Sequence, residues 1–241
     1  MSTSRVAALL VSAAVALAAG VFAPAASAEV AGPPTATRSW TARIVAAAAV
    51  RAVPDADARP TGRIAPVAPW NGGEVRLLVL DSRVDGQRSW LRVALPDRPN
   101  GSSGWIDADV AQVGSTGWRI VIDLAARRGS AFYAGARVRS WPVVIGRRAT
   151  PTPRGLFAVY ERVRQPVGSE LGPYALHITG HSDVLEDFGG GPGRVALHGR
   201  SGALLNDPLP SASSHGCVRM DNAVIAWLAA RAGPGTPVRI R

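Results

Sequence analysis

Cys217 is the only cysteine in the 241-residue chain, and it sits in the polar run Ser214-His215-Gly216-Cys217-Val218-Arg219-Met220. The thiolate is the nucleophilic form of cysteine, so a reactive cysteine needs a base or a positive field beside it. His215 and Arg219 supply candidates for both, and Gly216 permits close backbone approach to a ligand. Cysteine is also common as an inert core residue. A core strand, however, would not ordinarily surround one small apolar residue with Ser, His, Gly and Arg. A single thiol forms no internal disulfide, which leaves an intermolecular bridge, an inert buried place, or catalysis.

All four histidines, His177, His181, His198 and His215, fall in the stretch that ends at this run. Val195-Ala196-Leu197-His198 reads as a buried strand ending on an imidazole, with Gly199 next. A histidine delivered from a strand end to a cysteine loop is the minimum set for thiol activation, the imidazole taking the proton. Zinc is the rival: three or four of these histidines with Cys217 have the right ligand chemistry. Against it, Thr179-Gly180 between His177 and His181 suggests a strand followed by a turn, whose rings need not face one way. Zinc is therefore the weaker reading of these residues.

His198-Gly199 followed at fixed spacing by Ser214-His215-Gly216-Cys217-Val218-Arg219 closely resembles the signature of the L,D-transpeptidases of the YkuD type. Thr150-Pro151-Thr152-Pro153-Arg154-Gly155-Leu156-Phe157 is similar to a turn and strand of the same family, and residues 118–146 look like its opening hairpins. The resemblance covers residues 117–241. It implies attack by Cys217 on the third-residue carbonyl of a peptidoglycan stem tetrapeptide, with release of terminal D-alanine. The acyl-thioester then passes to the side-chain amine of an acceptor stem, cross-linking two third-position diamino acids. Hydrolysis of the same acyl-enzyme, an L,D-carboxypeptidase outcome, and a non-catalytic wall-binding protein are the alternatives. Acylation by carbapenems is implied as well, and so is chemistry without a metal or an organic cofactor.

Carried over residue by residue, the resemblance makes Cys217 the nucleophile and His198 the base. Gly199 is the position whose backbone carbonyl orients the imidazole. His215, Gly216 and Cys217 line the oxyanion pocket, Ser214 fixes the loop, and Arg219 suits a substrate carboxylate.

The positioning elements read as mainly β, a β-sandwich-like catalytic domain with a short C-terminal helix. Tyr174-Ala175-Leu176-His177-Ile178 suggests a strand near the pocket. Gly189-Gly190-Gly191-Pro192-Gly193 lacks the Lys-Ser/Thr of a phosphate loop and reads as a turn. Residues 221–232 form the one clear helix, from an acidic start through Val224, Ile225, Trp227 and Leu228 to a Gly233-Pro234 stop.

Residues 40–113 carry no catalytic constellation. Short strand-like runs at 76–80, 90–95 and 104–106, separated by turns at Asp85-Gly86 and Pro99-Asn100-Gly101, look like a small bacterial SH3-like barrel. Residues 112–117, Gln-Val-Gly-Ser-Thr-Gly, have linker composition, so the chemistry is expected wholly in the second half.

Residues 1–28 read as a signal peptide: Arg5, then an apolar stretch, then Ala26-Ser27-Ala28 as a small-x-small cleavage site. An uncleaved anchor is the alternative. No transmembrane segment is expected after cleavage, and the location is extracytoplasmic, secreted or wall-associated. The net charge is +10 and every basic side chain is arginine. GC-rich coding accounts for that, and so does attraction to an anionic cell wall. Nucleic acid is not an expected partner, since an exported chain without a recognition motif has no access to it.

Overall fold

The computed structural model describes residues 31–188 and 190–241. The expected signal peptide lies outside the described residues. The first half contains strands β1 (Ser39–Ile44), β2 (Ala48–Val50), β3 (Gly62–Ile64), β4 (Arg76–Asp85), β5 (Arg88–Ala94), β6 (Ser103–Asp107) and β7 (Ala111–Thr116). Five of them form an antiparallel sheet in the order β6-β5-β4-β1-β7, and β2 pairs with β3. The Asp85-Gly86 turn joins β4 to β5, with Gly86 at φ 58°, a conformation that glycine adopts without a Cβ clash.

Linker composition did not make a linker. Residues 111–116 are a full strand paired with β1 from Ile44↔Ala111 to Ser39↔Thr116, and Gly117 alone separates it from the next strand. Ladder hydrogen bonds to β1 outweigh the weak strand propensity of Gly114 and Ser115.

The second half contains β8 (Trp118–Asp123), β9 (Arg128–Tyr133), β10 (Ala136–Pro142), β11 (Val144–Gly146), β12 (Gly155–Arg164), β13 (Tyr174–His181), β14 (Arg194–His198), β15 (Ser211–Ser214), β16 (Val218–Arg219), α1 (Asn222–Ala229) and β17 (Pro237–Ile240). Ten strands form one continuous mixed sheet, β10-β9-β8-β17-β12-β13-β14-β16-β11-β15. The protein is mainly β, and this sheet is curled. β12 makes the bend: Gly155–Ala158 pair with β17, and Val159 onward pair with β13.

The sheet encloses a core of Ile120, Ile122, Phe157, Leu176, Ile178, Leu197, Met220 and Ile225. Burying each such side chain stabilises by about 1.5–3 kcal/mol before chain entropy is counted. Helix α1 buries Val224, Ile225, Leu228 and Ala229 against β13 and β14. It stops at Ala229 rather than 232, because Arg231 and Ala232 both donate to the Leu228 carbonyl in a tightened last turn. Asp221 precedes the helix but makes no side-chain cap; its carboxylate pairs with Arg200 at 3.2 Å.

The halves are packed together, not merely tethered. Tyr160 of β12 is buried in the first-half core, and Ala158 packs with Leu78 and Ala94. Asn100 makes a reciprocal pair with the His181 backbone, accepting from its N–H and donating to its carbonyl, each at 2.8 Å.

Candidate active site

Strand β14 sets the site by its period of two. Val195 and Leu197 point into the core, so Arg194, Ala196 and His198 face the other side and line a cleft of about 400 Å³. Cys217 reaches the same cleft from the loop before β16, which runs parallel to β14 with His198 opposite Arg219. The cysteine loop and the histidine strand are therefore adjacent in one sheet. The thiol accepts a hydrogen bond from the Ala196 N–H at 3.4 Å. The thiol is hydrogen-bonded to that amide and not to the imidazole; in resting active sites the nucleophile–base contact is often long.

His198 is buried, and its Nδ1 lies 2.8 Å from the Gly199 carbonyl oxygen, which fixes the ring without an acidic partner. A larger residue at Gly199 would push Asn222 aside: a Cβ there would stand 2.2 Å from Asn222 Oδ1, which accepts from the Arg200 N–H. Burial lowers the His198 pKa to about 4, opposed by the Gly199 hydrogen bond and assisted by the Arg219 charge and by His177. Burial likewise raises the Cys217 pKa, against the Ala196 hydrogen bond and Arg219. Neighbouring positive groups do not make a resting thiolate here, because desolvation is the larger effect. The resting pair at neutral pH is a thiol and a neutral imidazole, the state in which a base can act.

The cysteine loop is held from two directions. Ser214 Oγ donates to the Cys217 carbonyl at 2.6 Å and accepts from the Gly216 N–H at 3.1 Å. That commits the Gly216 N–H, so any oxyanion donors must come from the other amides of the loop. Gly216 takes φ 121°, which only glycine adopts readily. From the other side Thr152 Oγ1 donates to the Gly216 carbonyl at 2.8 Å and accepts from the Gly146 N–H at 2.8 Å. Thr150 Oγ1 donates to the Ser214 carbonyl at 3.2 Å. The Thr-Pro-Thr-Pro turn thus acts as a buttress for the nucleophile loop. His215 stacks on Phe188, with ring centroids 5.3 Å apart.

Two placements differ from the sequence reading. Arg219 is buried, and its Nη1 is hydrogen-bonded to the Asp207 carboxylate; it does not line the cleft, and its charge acts on the site from behind. The first half, meanwhile, is not remote from the site. Trp70 lines the cleft together with His177, His198 and Cys217, its ring 4.6 Å from that of His177. The loop carrying it is pinned to β12. The Trp70 N–H donates to the buried carboxylate of Glu161 at 3.1 Å, and Asn71 Nδ2 donates to the Arg162 carbonyl at 3.0 Å. Neither Trp70 nor Arg194 announces itself in the sequence, since both depend on long-range packing.

Among the described residues no group of three or more His, Cys, Asp or Glu side chains is placed to hold a metal ion. No helix among them is long and apolar enough to cross a membrane.

Fold and cleft define a β-rich domain built around a histidine at a strand end and a cysteine in the loop that leads into the neighbouring strand. The family model described as the L,D-transpeptidase catalytic domain (YkuD) matches residues 117–240, just over half of the chain, and the chain belongs to that family. A Bacillus licheniformis protein described as a YkuD-type L,D-transpeptidase is 30% identical over 125 residues, 51% of this chain and 65% of that protein. A solved L,D-transpeptidase structure from Xylanimonas cellulosilytica is 29% identical, with 52% of this chain and 61% of that chain covered and a TM-score of 0.39. One from Mycobacterium smegmatis is 16% identical, with 64% of this chain and 91% of that chain covered and a TM-score of 0.41. The chain thus spans 65% of the length of the Bacillus protein, and 49% of an Enterococcus faecium L,D-transpeptidase.

Proposed function

We propose that the protein is a peptidoglycan L,D-transpeptidase acting outside the cytoplasm. The observation that carries this reading is the shared cleft of Cys217 and His198, with the imidazole oriented by the Gly199 carbonyl. His198 Nε2 takes the thiol proton as sulfur attacks the carbonyl of the third stem residue. Amide groups of the loop at His215 and Cys217 steady the oxyanion. Collapse of the tetrahedral intermediate breaks the amide bond, and the proton on His198 passes to the departing D-alanine amine. The amine of an acceptor stem then attacks the thioester, restores the thiol, and closes a bond between two third-position diamino acids. Family membership supports this chemistry, while donor and acceptor identities rest on the resemblance.

The first half is proposed as an SH3-like module, supported by its antiparallel order β6-β5-β4-β1-β7 and its own core. Exposed Arg128 and Arg137, with Arg139 beside them, line a second hollow on the β9–β10 hairpin and suit contact with an anionic wall.

The test is incubation of the protein with disaccharide-tetrapeptide, with products identified by mass spectrometry. A cross-linked dimer lacking one D-alanine supports the reading. Tripeptide alone replaces it with the hydrolytic outcome, and unchanged substrate sinks both.

A further inference from the structure

Among the described residues lining the catalytic cleft, Arg194 is the only permanently charged one; Trp70, Val163, Gln165, Leu171 and His177 supply the neutral walls around it. His177 stays uncharged at neutral pH, its pKa lowered to about 4 by burial and then by the Arg194 charge. Arg194 is also locked in place. Its guanidinium carbon lies 5.3 Å from the ring centroid of Trp70 and 5.0 Å from that of Tyr160. Nη2 donates to the Pro96 carbonyl at 2.9 Å, and Nη1 makes a longer contact of 3.4 Å to the Ile178 carbonyl. Each terminal nitrogen carries two N–H groups, so one on each is left for a ligand. Burial is the largest effect opposing the Arg194 charge; Tyr160, Asp97 and Glu161 favour the charge, and Arg98 opposes it. Its positive charge therefore sits partly desolvated at the cleft wall, where a ligand carboxylate would add to its compensation.

Position gives this charge a meaning. Arg194 and Ala196 are two residues apart on one strand face, about 7 Å at strand rise, and the Cys217 sulfur sits at the Ala196 N–H. An extended peptide whose carbonyl lies at the thiol would bring a carboxylate one residue away, or on the reacting residue's own side chain, to the guanidinium.

We propose that Arg194, held between Trp70 and Tyr160, selects donor peptides that carry a carboxylate next to the scissile carbonyl. The first half of the chain, through Trp70, thereby takes part in substrate choice. This rests on the acyl-transfer reading above. Arg219 does not compete for the role, since it is buried against Asp207 and does not line the cleft.

The experiment compares acyl-enzyme formation on the full chain with three matched tetrapeptides. One has all acids free, one has the terminal carboxyl amidated, and one has the third-residue side-chain carboxyl amidated. In the wild type, one of the two amidations is expected to lower kcat/KM by roughly 10- to 100-fold, mainly through KM, as for one charge-assisted hydrogen bond. Whichever it is identifies the recognised group. Arg194→Gln should bring the ratio between free and amidated peptide close to one, and Arg194→Lys should restore part of it. Trp70→Ala should weaken the preference and Trp70→Phe should keep it. The proposal is overturned if Arg194→Gln is acylated with the wild-type preference intact, or if Arg219→Gln abolishes the preference instead. A wild-type protein that prefers neither form also overturns it while leaving acyl transfer standing. A wild type acylated by none of the three removes the underlying reading itself.

Discussion

The Nδ1 of His198 faces the carbonyl oxygen of its own neighbour, Gly199, at 2.8 Å. A backbone carbonyl orients the ring and sets the tautomer, but unlike a carboxylate it adds no full charge to hold a proton on the imidazole. With burial dominant, the base form persists down to about pH 4.

His198→Gln is therefore expected to lower acylation by roughly 10²–10⁴-fold, the range of a positioned base. In the wild type the acid limb of the acylation rate should lie near pH 4, not near the ordinary histidine value of 6.5. The complementary measurement is thiol alkylation across pH. Identical profiles in the wild type and the variant would mean that His198 does not activate Cys217.

The buttress under the loop gives a second prediction. Thr152→Val keeps the side-chain shape but leaves the Gly146 N–H and the Gly216 carbonyl without their buried partner. We expect a loss of about 1–3 kcal/mol of stability together with slower acylation of Cys217, and recovery of both in Thr152→Ser. Denaturant titration and mass-spectrometric acylation rates check this pair. A Thr152→Val protein as stable and as fast as the wild type would remove the buttressing role.

How far the sequence carried depended on the range of the interactions involved. The strand ending at His198, the helix after Asp221 and the polar cysteine run were legible because each is written within a dozen residues. Residues 112–117 misled, since Gly, Ser and Thr describe a linker locally while pairing with β1 is decided seventy residues away. Arg219 reads from the sequence as suited to a substrate carboxylate because its actual partner, Asp207, lies in an unrelated stretch of loop. Trp70 was invisible as a site residue: a lone tryptophan in a Pro- and Gly-rich segment gains meaning only when Glu161 and Arg162 anchor its loop to β12.

Acid stability follows from three histidines that packing desolvates, His181 and His198 buried and His177 half-buried. His177, His181 and His198 all have pKa values lowered to about 4, with burial the first cause in each. Between about pH 6.5 and 4 the unfolded chain binds protons at these positions that the folded chain does not, so stability falls as pH drops through that window. Glu161 works in the opposite sense, since burial raises its pKa and the folded state takes up a proton first. One group against three offsets only part of the loss. Thermal midpoints should fall from pH 7 to pH 4, and His181→Gln should flatten the fall. A midpoint as high at pH 4 as at pH 7 would contradict the assignment.

The last prediction concerns the division of labour between the halves. A chain beginning near Gly114 retains Cys217, His198 and the Thr-Pro-Thr-Pro turn, and from composition alone it would be expected to work unaided. The structure gives the opposite expectation. Removing the first half strips Trp70 from the cleft, exposes Tyr160, and leaves the Glu161 carboxylate without the Trp70 N–H. It also removes the Pro96 carbonyl that holds Arg194 and the Asn100 side chain that braces the His181 backbone. The shortened chain should therefore melt lower and be acylated by a carbapenem at least tenfold more slowly than the full protein. The full-length Trp70→Ala variant, which keeps the fold's other contacts, should lie between the two. Acylation at the full rate by a folded, shortened chain would show that the cleft is complete without the first half, and that Trp70 is only a neighbour of the chemistry.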